Sequence, residues 1–231
     1  MFENKFRNYN DFISNLKSPL CNRSIVSTFI NPYSYYKIKG NKSISDSVDY
    51  IYFDGTSLCL LNNILYNTKI DRVSFDFSSI AGDVIKYSQK NGLSIIFVGG
   101  NLNESAMAEM NLLNLYPGVN LKVVDGFQQE SDILSAVNCF DVIVFGMGCP
   151  LQEEYAIKTK SKLPKGKLIF TCGGFISQTA MKPDYYHPLI KRFKILWLQR
   201  FILHKHVRKR LLWDYPIFFV KFIKERINRN V

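Results

Sequence analysis

Several short apolar runs, each closed by glycine, proline or another turn residue and followed by a helix-like stretch, constrain this chain more than any other feature of it. SIVSTFINP (Ser24 to Pro32) leads into YSYYKI, and SIIFVGG (Ser94 to Gly100) leads into NLNESAMAEMNLLNLYPG. There Asn101 and Glu104 have capping-box spacing, and Pro117-Gly118 supplies the stop. Val119 to Val124, FDVIVFGMG and KLIFTCGG repeat the strand signal. Runs this short, apolar throughout and alternating with helices predict an α/β fold: a Rossmann-like, mostly parallel sheet with helices on its faces.

Charge divides the chain. From Lys182 onward there are 13 Lys and Arg against 3 Asp and Glu, whereas residues 1–181 hold 17 against 16. The expectation is a Rossmann-like domain over 1–181 and a basic, amphipathic helical appendage over 182–231. In the latter, Leu198, Phe201 and Ile202 have helical spacing amid Lys and Arg, and two helices are expected with a break near Asp214 to Pro216. Five cysteines (Cys21, Cys59, Cys139, Cys149, Cys172) form an odd set without a CxxC pair, which fits a reducing compartment. The N-terminus lacks the apolar core of a secretion signal, and no apolar run approaches the roughly 20 residues that span a bilayer. A cytoplasmic protein, peripheral on the inner face of the cell membrane, is expected.

In a doubly wound sheet, ligands collect beyond the carboxyl ends of the strands, where glycines permit close approach and helix N-termini favour anions. Three such ends are Val98-Gly99-Gly100, Gly146-Met147-Gly148 and Thr171-Cys172-Gly173-Gly174. None fits GxGxxG, because Leu151 stands where the third glycine would be, which disfavours a dinucleotide-dependent oxidoreductase. Pro150 suits a first helical turn and would hold Gln152 where its amide can meet a sugar or base; the plainer alternative is an exposed turn whose Glu153 complements the helix dipole. Asp54, after the strand-like YIYF, is either a general base or part of an Asp-Gly turn. Asp76 reads as a helix N-cap. There is no DxD motif, and His187, His204 and His206 all lie in the basic tail, so no metal and no cofactor is expected.

Taken in order, FINP (Phe29 to Pro32), FDG (Phe53 to Gly55), RVSFD (Arg72 to Asp76), FVGG, YPG, GMGCPLQE, TCGGF and WLQR (Trp197 to Arg200) resemble the TagA/WecG/CpsF glycosyltransferase family, over about residues 24–220. The resemblance implies an inverting, metal-independent transferase in surface or exopolysaccharide assembly. It would move an N-acetylmannosamine-type or related sugar from a UDP donor to a polyprenyl-diphosphate-linked sugar. By position, it implies Asp54 as catalytic base and Asn31, Arg72 and Gln152 as substrate-contacting residues. Arg200 and Arg210 are implied to meet the diphosphate, and Gly99, Gly100, Gly146, Gly148, Thr171, Gly173 and Gly174 to line the nucleotide's approach. Phe29 stands where many members have threonine, Leu151 where they have lysine and Val207 where a further arginine is usual. The partners implied are the two substrates and an anionic membrane surface met by residues 194–231, with no nucleic acid. The competing class is a nonenzymatic basic α/β protein whose tail binds nucleic acid or an anionic membrane.

Overall fold

The computed structural model describes residues 2–17, 23–163, 166–182, 190, 196–203 and 205–228. Cys21, His187 and His204 lie outside them, as do the side chains of Trp197, Arg200 and His206.

Six strands form one sheet: β1 (Ile25–Ile30), β2 (Tyr50–Phe53), β3 (Ile95–Gly99), β4 (Leu121–Val124), β5 (Val142–Gly146) and β6 (Leu168–Thr171). Their spatial order is β2-β1-β6-β5-β3-β4, and every pairing is parallel. The expected α/β, Rossmann-like architecture is therefore present. The strands are apolar on both sides because both faces are covered. One face carries α1 (Tyr9–Lys17), α5 (Ala81–Lys90), α6 (Leu102–Leu115) and α9 (Phe175–Met181), packed on Phe29, Tyr52, Phe97, Val144 and Phe170. The other carries α2 (Tyr35–Gly40), α3 (Lys42–Ser47), α4 (Thr56–Tyr66), α7 (Glu130–Val137) and α8 (Leu151–Lys162), packed on Ile30, Phe53, Val98, Phe145 and Ile169. Residues one apart on a strand fall into opposite layers, as a pleat of period two requires.

Neighbouring strands in the middle of the sheet feed opposite faces. β1 runs on to α2 and β5 to α8 on the second face, while β6, between them, runs on to α9 on the first. Connections that diverge in this way open a crevice above the carboxyl ends of the strands.

The tail continues as α10 (Leu196–Leu203), α11 (Lys205–Lys209), a π turn over Arg210–Asp214 and α12 (Tyr215–Asn228). The predicted break at Asp214 to Pro216 is absent. Pro216 cannot donate to Leu212, and the Tyr215 N–H bonds one residue further back, to the Arg210 carbonyl, so the helix passes through as a π turn. α12 lies back on the body: Phe218 and Phe222 are buried among Tyr35, Tyr36 and Tyr66, and Glu225 accepts from Tyr36 Oη and pairs with Lys39. Arg226 donates to the Leu65 carbonyl at 2.8 Å. Among the described residues no helix is long and apolar enough to cross a membrane.

Candidate active site at the carboxyl edge of the sheet

Because all six strands are parallel, Asn31, Asp54 and the three glycine-bearing turns share one edge. At the usual spacing of about 4.8 Å per strand, the ends of β2 and β6 lie roughly 10 Å apart. Asp54 follows β2, and its N–H donates to the Ile30 carbonyl at 2.8 Å, fixing it beside Asn31. An added Cβ on Gly55 would stand 3.1 Å from Pro32 and 3.7 Å from Asn31, so glycine lets the two turns meet.

The Asp54 side chain is 19% exposed. It is held by Arg72, whose Nη2 donates to Asp54 Oδ1 at 3.2 Å and to Asp76 Oδ2 at 2.6 Å, while Nε donates to the Asp54 carbonyl at 3.0 Å. Arg72 is thus a brace for the carboxylate. Asp76 accepts from Arg72, Ser74 and Ser78, and α5 begins only after Ile80. It closes the turn before α5 and does not cap the helix, contrary to the sequence expectation. Burial pushes the Asp76 carboxyl upward, but the Arg72 charge and the hydroxyl donors outweigh it and bring it below its ordinary value.

Asn31 Oδ1 accepts from the Tyr33 and Ser34 N–H groups at 3.0 and 3.2 Å, an Asx turn that ends β1. Its Nδ2 donates to none of the described residues. Phe29 is stacked on Tyr52 at 5.3 Å and meets Phe75, so the residue at the family's threonine position belongs to the core.

Gln152 and Glu153 are not on an exposed first turn: they are 4% and 0% exposed. Gln152 Oε1 accepts from the Gly173 N–H at 3.1 Å, and its Nε2 donates to Glu153 Oε1 at 2.8 Å. Glu153 Oε1 also accepts from Thr28 Oγ1 at 2.9 Å, and the Thr28 hydroxyl pairs with that of Thr171 at 3.0 Å. A buried polar chain thus ties β1, β6 and α8 together beneath the crevice. Burial drives the Glu153 carboxyl above its ordinary value, and the Gln152 and Thr28 donors offset this only in part. Its Oε2 finds no hydrogen-bond partner among the described residues, although the Cys149 thiol is close enough to act on it. Thr28 and the burial of Glu153 were not legible beforehand. An apolar strand hides a hydroxyl that points into the same layer as Val26 and Ile30.

The glycines separate into two groups. A Cβ on Gly99 would meet the Gly146 carbonyl at 2.6 Å, and one on Gly146 would meet Cys172 Sγ at 2.8 Å and Ile176 at 2.9 Å. Gly100 faces Glu104 and Gly174 faces Gln178. These four allow protein to pack on protein. Gly148 and Gly173, both with positive φ, would meet nothing within 4 Å, and they are the two that border open space. Thr171 is fully buried in the polar chain. At the outer strand, Phe127 is 82% exposed after β4, an aromatic face available for stacking a base.

Arg210 lies 4.0 Å above the Tyr33 ring, which brings one tail arginine to the turn that follows β1. Arg200 sits on α10, but its side chain is outside the described residues. Among the described residues no three His, Cys, Asp or Glu side chains converge as metal ligands.

The profile of the glycosyl transferase WecG/TagA/CpsF family matches residues 3–231. A curated relative, the UDP-Gal:alpha-D-GlcNAc-diphosphoundecaprenol beta-1,4-galactosyltransferase of Shigella boydii, is 45% identical over 208 residues, 87% of each chain.

Proposed function

This chain belongs to the WecG/TagA/CpsF family of glycosyl transferases, and from that premise we propose that it transfers a hexose from a UDP-linked donor to an N-acetylglucosamine carried on a polyprenyl diphosphate. The Shigella relative's name makes UDP-galactose the first donor to try, ahead of the N-acetylmannosamine-type sugar suggested by family resemblance. One observation carries the reading: Asp54 presents a braced, part-exposed carboxylate beside Asn31 at the edge of the crevice.

In the proposed reaction, Asp54 accepts the proton of the acceptor hydroxyl as its oxygen bonds to the donor sugar's anomeric carbon. The bond from that carbon to the diphosphate oxygen breaks, and UDP departs with the electron pair. A single displacement inverts the centre, so an α-linked donor yields a β linkage. In this reading Asn31 Nδ2 donates to a sugar oxygen, and Arg210 stabilises charge on the departing diphosphate.

The acceptor's lipid calls for contact with a membrane. α12 and the turn before it leave Trp213, Ile217, Val220 and Ile227 exposed next to Lys221 and Lys224, a face suited to the interfacial zone of an anionic leaflet. Each cation there contributes about 1 kcal/mol of attraction. The full chain should be incubated with UDP-galactose, UDP-N-acetylglucosamine or UDP-N-acetylmannosamine and a short-chain lipid-diphosphate N-acetylglucosamine. Mass spectrometry is expected to show a gain of one hexose from UDP-galactose; no addition from any donor overturns the proposal.

A further inference from the structure

Two cations share one aromatic ring at the carboxyl edge of the sheet. Lys37 Nζ lies 3.8 Å and the Arg210 guanidinium carbon 4.0 Å from the centre of the Tyr33 ring, so the charges are within about 8 Å of each other. Lys37 comes from α2 and Arg210 from the π turn of the tail, 173 positions apart in the chain. Neither has a carboxylate partner among the described residues. Like charges this close repel, and the ring's negative face is what draws both to one place.

Both charges also act on the Cys149 thiol, so they lie within electrostatic reach of the β5–α8 turn that carries the open Gly148. Glu153, the carboxyl that acts on the same thiol, is fully buried, with its Oε1 taken by Thr28 and Gln152, and it forms no ion pair with either cation. Two cations of different geometry, an ammonium and a planar guanidinium, gathered on one ring after β1 without a carboxylate partner among the described residues, suit an anion with several oxygens.

We propose that Lys37 and Arg210, held by Tyr33, form a two-cation clamp for a diphosphate, with Lys37 as a ligand supplied by the body opposite the one supplied by the tail. The inference rests on the glycosyltransferase reading for its choice of anion, which either substrate can supply: the UDP of the donor or the lipid diphosphate of the acceptor. Tyr33 is a positioning residue. Its ring joins the tail to the catalytic edge, so a bound diphosphate would also fasten Arg210 there.

The test is titration calorimetry on the full chain with inorganic pyrophosphate, UDP, uridine and a short-chain lipid-diphosphate N-acetylglucosamine. Lys37 is exposed and makes no buried contact, so Lys37→Met is expected to fold normally, which a melting curve checks. Pyrophosphate affinity should fall about tenfold in Lys37→Met and in Arg210→Met, with uridine binding unchanged. Lys37→Arg should restore most of the loss. Tyr33→Ala should weaken pyrophosphate binding and Tyr33→Phe should not, since the phenyl face also attracts cations. Whichever of UDP and the lipid diphosphate weakens in parallel is the ligand of the clamp. Wild-type pyrophosphate affinity in folded Lys37→Met, or no pyrophosphate binding by the wild-type chain, overturns the clamp. Because pyrophosphate binding needs no sugar transfer, that result is separable from a failure of the proposed activity.

Discussion

Arg72 grips Asp54 at two points, donating Nε to its backbone carbonyl at 3.0 Å and Nη2 to its carboxylate at 3.2 Å. A side chain held in this way keeps one face for its partner and the other for a ligand. Replacing the carboxylate by an amide preserves shape and removes the base. Asp54→Asn is therefore expected to lower turnover about 10²- to 10⁴-fold while the melting temperature stays close to wild type. Transfer assays beside thermal melts check this, and undiminished turnover would take Asp54 out of the mechanism.

The same guanidinium neutralises Asp76, whose side chain is almost wholly buried. Arg72→Ala strands that charge and is expected to cost about 2–4 kcal/mol, less than for a fully enclosed pair because Arg72 is partly exposed. The pH dependence has a definite sign. Folding lowers the Asp76 pKa, so its contribution is present above the unfolded value of about 3.9 and is lost as pH falls through the lower folded value. Denaturant melts of wild type and Asp76→Asn should differ most above pH 5 and converge in acid.

Glu153 behaves in the opposite sense. Its raised pKa means that the folded state binds the proton more tightly, so wild-type stability should decline as pH climbs above the ordinary glutamate value. Glu153→Gln removes that dependence, and its stability relative to wild type should increase as pH rises from the ordinary glutamate value to the raised folded value and level off above it. Glu153→Ala abandons Thr28 and Gln152 together and should cost about 2–4 kcal/mol below the ordinary glutamate value, a cost that shrinks as pH rises because wild type itself loses stability there.

The two sides of α12 should separate experimentally. Phe222→Ala empties a fully buried ring site among Tyr35, Tyr66 and Phe218 and should destabilise the protein by about 3–5 kcal/mol. Trp213→Ser with Ile217→Ser alters only exposed positions and should leave the melt unchanged while weakening sedimentation with anionic vesicles by about tenfold or more. Equal vesicle binding by that double variant would refute the proposed membrane face.

Gly99→Ala should be poorly tolerated. The methyl group would press on the Gly146 carbonyl and on Ile176 while the backbone sits at a φ of 153°, so a loss of soluble, folded protein is the expected readout. Gly148→Ala meets open space and carries only the strain of its left-handed backbone, so its folding loss should be much smaller.

The chain's own order of residues determined the layers, the strands and the edge on which the site lies. Apolar runs such as SIIFVGG admit burial on both faces and little else, and a parallel sheet brings every strand's carboxyl end to one side. Asp54, Asn31 and the glycine turns could be placed on that edge for this reason alone. Tertiary structure decided which of those residues face a ligand. Gly99 and Gly146 give their space to Ile176 and Cys172, Gln152 and Thr171 go into the polar chain with Glu153, and Arg72 turns towards two carboxylates. It also decided that the tail folds back, through contacts of Phe218 and Phe222 with tyrosines roughly 150 to 190 positions earlier in the chain. Periodicity reports which side of an element is apolar and carries no record of what is packed there. Partners so distant in sequence are chosen only when the whole chain closes.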